Sequence, residues 1–274
     1  MNNKVSIWLI RIVLFIGIIF SLFPFYWMIV MASQDMSALY SVPPVLTFGP
    51  NLLDHIKIVF EQTTFLRSFF NSLFISSTST ILVLFFDSLA GFAFAKLKFK
   101  GKGFLFAFLL GTMMIPGQLN IIPQFLLMDF FGWVGSYKAL IIPSMANAFG
   151  IFWIKQYAED AIPDSILESA RMDGCSTFRT YWNIALPILK PAMAFLAIYT
   201  FMGSWNDYMW PLIVLNDESK YTLMLALTQL QGVYYTDYTL VITGSLLATI
   251  PLLIVFALFS KQMMAGLTAG AVKE

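Results

Sequence analysis

Long apolar runs separated by short polar segments set the pattern of this chain. A helix that crosses a bilayer needs roughly 20 mostly apolar residues. Six runs meet or approach that length, at about 7–31, 69–95, 104–128, 139–157, 192–215 and 240–260. The pattern therefore predicts an all-α membrane protein, with six transmembrane helices forming a single domain over residues 1–274.

Three of these runs carry features that favour contact with other helices. The second contains the hydroxyl-rich stretch 76–80, and small hydroxyl residues suit close helix packing. The third contains Pro116 and Pro123, so we expect a kink or local unwinding that protein or water must cover. The fourth is short and interrupted by Pro143 and Asn147, which predicts a buried position.

Basic residues orient the predicted helices, because cytoplasmic loops carry the excess of lysine and arginine. With six spans, one side holds Lys4, Arg11, Lys96, Lys98, Lys100, Lys102, Lys155, Arg171, Arg179, Lys190, Lys261 and Lys273. The other side holds only Lys57, Arg67, Lys138 and Lys220. This asymmetry places both termini and the segment 159–191 in the cytoplasm, and a five-span arrangement would lose it.

The longest outside segment is then Ala32–Leu66, where Asn51–Gln62 predicts a short amphipathic helix. His55 lies in this helix, and a lone histidine there is predicted to be a surface residue.

Composition agrees with a membrane protein. The 274 residues are 59% hydrophobic and 11% charged, whereas about a quarter of residues are charged in soluble domains. A net charge of +1 suggests no nucleic-acid partner. One cysteine and one histidine exclude an intrachain disulfide and a histidine-cluster metal site. The first apolar run is too long for a typical signal-peptide core, so we expect it to be retained.

The longest polar stretch runs from Glu159 to Pro191. Pro163 favours a helix start, and either Asp164 or Ser165 is expected to cap the first turn. The helix is expected to stop at Gly174, since glycine suits the left-handed conformation at a helix end.

A second helix is expected to begin after a cap at Ser176 or Thr177. Pro187 and Pro191 then mark the return to an apolar run. On physical grounds alone, an ordinary amphipathic cytoplasmic loop explains this stretch equally well.

The spacing within the stretch adds a resemblance. Glu168-Ser169-Ala170, then Asp173-Gly174, then Ile184-Ala185-Leu186-Pro187 is similar to the EAA loop of binding-protein-dependent ABC importer permeases. Ser169 and Cys175 depart from the usual pattern, but both are small. In that family, cytoplasmic ATPase subunits grip this loop. The implied ATPase-coupling residues are Glu168, Ser169, Ala170, Asp173, Gly174, Ile184, Leu186 and Pro187.

Further motifs extend the resemblance over most of the chain, toward the carbohydrate-uptake branch related to the maltose and glycerol-phosphate permeases. They are Phe70–Leu73, Asp87–Lys96, Met114–Gln118 with Ile122-Pro123, Ser204–Leu212 and the tail Lys261–Lys273. The sugar assignment rests on the last two.

The resemblance implies a permease subunit in the bacterial cytoplasmic membrane, in contact with lipid. The expected partners are a second, different permease subunit, two cytoplasmic ATPase subunits and an extracytoplasmic sugar-binding protein. The sequence contains no GxxxxGK[ST] phosphate loop, so ATP and magnesium are expected on the ATPase subunits, with no cofactor on this chain. The sequence contains no Ser/His/Asp or Cys/His cluster that would suggest an enzyme or a metal site.

Polar residues within the predicted spans are candidates for the translocation pathway. Asn206 and Asp207 lie in the fifth span, where a carboxylate is expected to face the bundle interior or water. The broken third span supplies Pro116, Gln118, Asn120 and Pro123. Asp87 has a structural interpretation, as a charge pair with Lys96 or a hydrogen bond between helices.

Two alternatives stay open. An ABC permease for a different solute, such as an amino acid, peptide or phosphate, would share the same loop. A secondary transporter without ATP is disfavoured, because the two halves show no convincing repeat.

Overall fold

A computed structural model describes residues 3–232 and 234–269 of the chain. This part is mostly helical, with one isolated β-bridge (Gln231 to Thr236). Side chains are described for residues 7–232 and 234–259. The α-helices are α1 (Asn3–Ser33), α2 (Leu52–Gln62), α3 (Phe65–Lys96), α4 (Lys102–Met113), α5 (Ile121–Phe130), α6 (Lys138–Ile141), α7 (Ala148–Ala161), α8 (Asp164–Met172), α9 (Thr177–Thr180), α10 (Leu186–Trp205), α11 (Met209–Val214), α12 (Leu223–Ala226) and α13 (Tyr238–Ala269). Short 3₁₀ helices cover Met36–Tyr40, Gly117–Asn120, Glu218–Lys220 and Leu227–Leu230, and a π-helix covers Tyr181–Ala185.

Four helical stretches are long and apolar enough to cross a membrane, and they correspond to the first, second, fifth and sixth predicted spans. They are Ile7–Ser33, Phe65–Lys96, Thr177–Trp205 and Tyr238–Phe259. A bent pair, Lys102–Met113 with Gly117–Phe130, adds a fifth if it is one broken span. The all-helical membrane fold is confirmed, while the six-span count and the sidedness stay predictions.

The third span is broken where its prolines predict. Its two parts meet at an angle of 96°. α4 ends at Met113, and Pro116 precedes the short 3₁₀ helix Gly117–Asn120. Proline has no backbone N–H and disfavours a helical conformation in the residue before it, so the helical hydrogen bonds cannot run through this point.

The fourth predicted span is two helices rather than one. α6 has four residues and α7 has 14, and Pro143 and Asn147 lie in the turns between them. Asn147 caps α7, because its side chain accepts a hydrogen bond from Gly150 N at 2.8 Å. The expected burial is found at both helices, for example at Ala139 and Ile154, which are fully buried.

The fifth span begins and ends earlier than the predicted 192–215. Helical structure is continuous from Thr177 to Trp205, so Pro187 and Pro191 lie within it and do not terminate the polar loop. Pro187 is the second residue of α10 and lacks the N–H that a continuous helix would use there. The π-helix just before it accommodates the change in hydrogen-bond spacing.

The described residues form two compact units. The first combines residues 3–66 with 226–250. In it, α2 matches the predicted amphipathic helix, and His55 Nδ1 lies 2.8 Å from the Ala32 carbonyl oxygen. The half-buried His55 therefore connects α2 to α1 rather than standing free on the surface.

The second unit combines residues 67–225 with 251–269 and contains the predicted functional segments. One core cluster packs α3, α7, α8 and α10 together, through buried residues that include Val83, Ile154, Leu167 and Leu196. A second cluster, including Ile75, Leu140 and Val214, packs α3, α6 and α11 together.

Candidate functional site

The segment after α7 forms a short helix, a bend and a second helix, as the sequence predicts. α8 begins directly after Pro163, whose carbonyl accepts a hydrogen bond from Ile166 N at 3.2 Å. No side chain caps the first turn of α8. The predicted cap by Asp164 or Ser165 is therefore wrong, because Asp164 is the first helical residue and its carboxylate bonds elsewhere.

The bend has the hydrogen-bond pattern of a Schellman motif. Cys175 N donates to Ala170 O at 2.9 Å, and Gly174 N donates to Arg171 O at 3.0 Å. Gly174 has φ = 75°, which confirms the expected left-handed conformation. A Cβ on Gly174 would meet no atom within 4 Å, so backbone conformation and not space selects glycine here.

α8 has one buried face and one exposed face. Leu167 and Ala170 are each 5% exposed and pack inward. The exposed face carries Glu168, Ser169, Met172 and Asp173. The side chain of Glu168 makes no hydrogen bond or ion pair within the described part of the chain. Its carboxylate is therefore available to another molecule.

Lys96, at the end of α3, holds the start of α8. Its side chain is 8% exposed, and its ammonium lies 3.0 Å from Asp164 Oδ1 and 3.2 Å from the carbonyl oxygen of Glu159. The hydrogen bond and charge of Lys96 lower the pKa of Asp164 below its ordinary value of 3.8. Lys96 thus pairs with α8 and not with Asp87.

The second helix of the loop starts where one of the two proposed caps predicts. Ser176 Oγ accepts a hydrogen bond from Arg179 N at 3.3 Å, so Ser176 and not Thr177 is the cap. Ile184 and Leu186 are half-buried in the helix that follows, and Pro187 is exposed. The coupling residues implied by the resemblance therefore fall into two groups. Those from Glu168 to Gly174 lie in α8 and the bend after it, and those from Ile184 to Pro187 lie where the π-helix continues into α10.

A cavity of about 780 Å³ lies elsewhere in the same unit. Its polar lining residues include Ser79, Gln124, Ser144, Asn147, Asn206 and Asp207. Tyr199 and Trp210 add aromatic surface, and the Trp210 ring is fixed by a hydrogen bond from Nε1 to Ala139 O at 2.9 Å. Hydroxyl, amide and carboxylate groups beside aromatic rings can hydrogen-bond and pack against a polar organic solute.

Only two of the predicted pathway residues line this cavity, Asn206 and Asp207. The other four are exposed around the bend between α4 and α5; they are Pro116, Gln118, Asn120 and Pro123. Among the cavity residues that the sequence analysis missed, Gln124 directly follows Pro123. The sequence pattern marks Asn147 only as an interruption of an apolar run.

Asn206 and Asp207 also explain why α10 ends. Asn206 Nδ2 donates to Met202 O at 2.9 Å, and Trp210 N donates to Asp207 Oδ1 at 3.3 Å. Such side-chain bonds offer the backbone an alternative to continued helix. Both residues therefore shape the cavity wall in addition to facing it.

The apolar helices and the exposed bend of α8 define an all-helical, multi-pass membrane protein. The family model described as "Binding-protein-dependent transport system inner membrane component" matches residues 87–269. The chain belongs to this family and is an inner-membrane subunit of such a transport system.

Similar proteins extend the likeness to almost the full length. The arabinooligosaccharides transport system permease protein AraQ of Bacillus subtilis (strain 168) is 34% identical over 255 residues, which cover 92% of this chain and 90% of that protein. The lactose transport system permease protein LacG of Rhizobium radiobacter is 33% identical, covering 95% and 94%. A crystal structure of a bacterial ABC transporter involved in the import of the acidic polysaccharide alginate contains a chain with the same fold. Its TM-score is 0.81 at 23% identity, and the coverage is 96% of this chain and 99% of that one.

Proposed function

We propose that this chain is a permease subunit of an ATP-driven ABC importer that moves a sugar or an oligosaccharide across the cytoplasmic membrane. The observation that carries the proposal is the full-length similarity to permeases named for arabinooligosaccharides and lactose. The stretch Ser204–Leu212 and the tail Lys261–Lys273 resemble the same branch, although residues 270–274 lie outside the described part.

The cavity supports a role in solute passage. Its size is in the range of small-molecule sites, and its lining mixes amides and hydroxyls with aromatic rings. A sugar presents hydroxyl groups and apolar ring faces, which match these two kinds of lining group. Asn206 and Asp207 are the pathway residues that this geometry favours, while Pro116, Gln118, Asn120 and Pro123 stay predictions.

Energy coupling is proposed to occur through the loop 159–191, with the exposed face of α8 held by an ATPase subunit. Glu168 has no bonding partner within the described chain, so it is available for that contact. The proposed assembly contains a second, different permease, two ATPase subunits that bind ATP and magnesium, and an extracytoplasmic binding protein. Six spans with cytoplasmic termini complete the proposal.

Copurification from the native membrane tests this function. We expect a second permease and an ATPase to copurify with the tagged chain, and the complex in vesicles to import a sugar only with ATP inside. A panel of arabinooligosaccharides, lactose, amino acids, peptides and phosphate would identify the solute class. Uptake of a non-sugar alone would contradict the carbohydrate assignment, and uptake without ATP would point to a secondary transporter.

A valine at the bend tests the coupling loop. Gly174→Val should cost about 1–2 kcal/mol at α8, because a side chain is strained at positive φ. We expect transport and stimulated ATP hydrolysis to fall together while the protein still inserts in the membrane.

Gly132→Val is the matched control, since Gly132 also has positive φ (66°) and open space at its Cβ position. Gly132 lies beyond α5, outside the loop 159–191. Normal coupling in the Gly174 variant, or equal loss in both variants, would contradict a specific role for the bend.

A further inference from the structure

α7 connects the two candidate sites directly. Its first turn begins at Asn147, which lines the cavity, and its last residue is followed by Ile162 and Pro163 before α8 starts. A helix of 14 residues is about 21 Å long, so this distance separates the cavity wall from α8. Along the chain, movement of α8 can reach the cavity through α7 on one side and through α10, which carries the cavity residue Tyr199, on the other.

α3 contacts α7 at three successive levels. Asn147 N donates to Asp87 Oδ1 at 3.1 Å at the cavity end. In the middle, a Cβ on Gly91 would lie 2.7 Å from Ile154 Cβ, so the two helices approach as closely as a glycine permits. At the other end lies the Lys96 contact with the carbonyl of Glu159. Residue numbers rise together along both helices, so α3 and α7 run parallel.

Asp87 is the unusual member of this set. It is fully buried, and a single described hydrogen bond holds it, from the backbone of Asn147 to Oδ1. Oδ2 has no hydrogen-bond partner among the described residues. Burying a carboxyl oxygen without a hydrogen-bond partner costs stability, so we expect Asp87 to have a functional role.

We infer that α3 and α7 act as one strut that transmits movement of α8 to the cavity wall, with Asp87 as the positioning residue at the cavity end and Lys96 at the α8 end. Two closely packed helices move together as a rigid body, because the packing between their side chains does not deform continuously. The proposal rests on the proposed importer function and adds the path by which ATP hydrolysis reaches the cavity.

The test measures solute imported per ATP hydrolysed, in vesicles that hold the complete transporter. Asp87→Ala removes the bond to α7. We expect ATP hydrolysis stimulated by the binding protein to stay within about twofold of wild type, while import per ATP falls by about tenfold or more. Asp87→Asn keeps an oxygen that accepts from Asn147 and should restore most of the ratio. Thr80→Val is a control, because the hydroxyl of buried Thr80 bonds, among the described residues, only to the Ser76 carbonyl of its own helix.

Lys96→Met tests the other end and keeps an unbranched side chain of similar length at this buried position. It should lower the import-to-ATP ratio in the same direction, whereas Lys100→Met, at an exposed lysine of the next loop, should leave the ratio unchanged. A wild-type ratio in both Asp87→Ala and Lys96→Met would overturn the strut, as would an Asp87→Asn ratio as low as that of Asp87→Ala. Failure of the wild-type complex to import with ATP would instead refute the importer function itself.

Discussion

An added methyl group at Gly150 tests the close packing around Asp87. Gly150 lies in the first turn of α7, and a Cβ there would overlap Asp87 Oδ2. The same Cβ would lie 2.9 Å from Asp87 Cγ and 3.2 Å from Leu196 Cδ1. Neither neighbour can move freely, because Asp87 is bound to Asn147 N and Leu196 belongs to the core cluster of α3, α7, α8 and α10.

The cost of Gly150→Ala has two parts. Overpacking a well-packed core costs about 1–3 kcal/mol. Displacing the Asp87 carboxyl group also weakens its buried hydrogen bond from Asn147 N, and a typical hydrogen bond contributes about 0.5–1.5 kcal/mol when intact. Alanine gains about 0.5–1 kcal/mol over glycine in a helix, so we expect a net loss of roughly 1–3 kcal/mol.

The assay is reversible unfolding of the purified subunit in a detergent titration, followed by helical circular dichroism. Gly111→Ala in α4 is the control, because its Cβ would meet nothing within 4 Å and it should be neutral or slightly stabilising. In an Asp87→Ala background the overlap is gone, so Gly150→Ala should then cost less than about 1 kcal/mol. Equal midpoints for wild type and Gly150→Ala, or full additivity of the two changes, would refute the packing argument.

Two further predictions concern charge and solute contact. Asp164→Asn should lower stability at neutral pH, since Lys96 lowers the pKa of Asp164 below 3.8. The stability contributed by the Asp164–Lys96 pair is fully present above the ordinary aspartate pKa and is lost as the pH falls through the lowered pKa of Asp164. The thermal unfolding temperatures of wild type and variant should therefore converge in acid. A stability difference that persists in acid would contradict this ion pair. Gln124→Leu should lower sugar uptake about threefold to tenfold, the effect of one lost hydrogen bond to solute. Gln118→Leu, which lies outside the cavity, is compared with it in the same uptake assay. A larger loss of uptake in Gln118→Leu than in Gln124→Leu would favour the pathway predicted from the sequence over the cavity.

Local conformations could be predicted from the sequence where one residue type decides them. Gly174 is predicted at positive φ because a glycine follows a helical run, and the structure has it at φ = 75°. Pro116 is predicted to break the third span for a similarly local reason, and the helix is bent there by 96°. In both cases the deciding chemistry lies within a few residues of chain.

Helix boundaries set by competition between local signals and packing could not be predicted. Pro187 and Pro191 look like the end of a polar loop, yet the helix passes through both. The π-helix just before Pro187 makes this possible, and its Tyr181 hydroxyl lies 2.7 Å from Ser88 Oγ on α3. A tertiary contact thus stabilises an irregular turn that the sequence alone gives no reason to expect.

The partners of charged residues were also outside the reach of the sequence. Asp87 and Lys96 lie on one helix about two turns apart, so a pair between them is a reasonable interpretation of the sequence. The structure divides them between the two ends of α7, one at Asn147 and one at Glu159 and Asp164. Side chains nine residues apart on a straight helix lie about 13 Å apart along its axis, too far for direct pairing. On α7 the contacted residues Asn147 and Glu159 lie 12 residues apart, about 18 Å along the axis, and the long Lys96 side chain spans the difference.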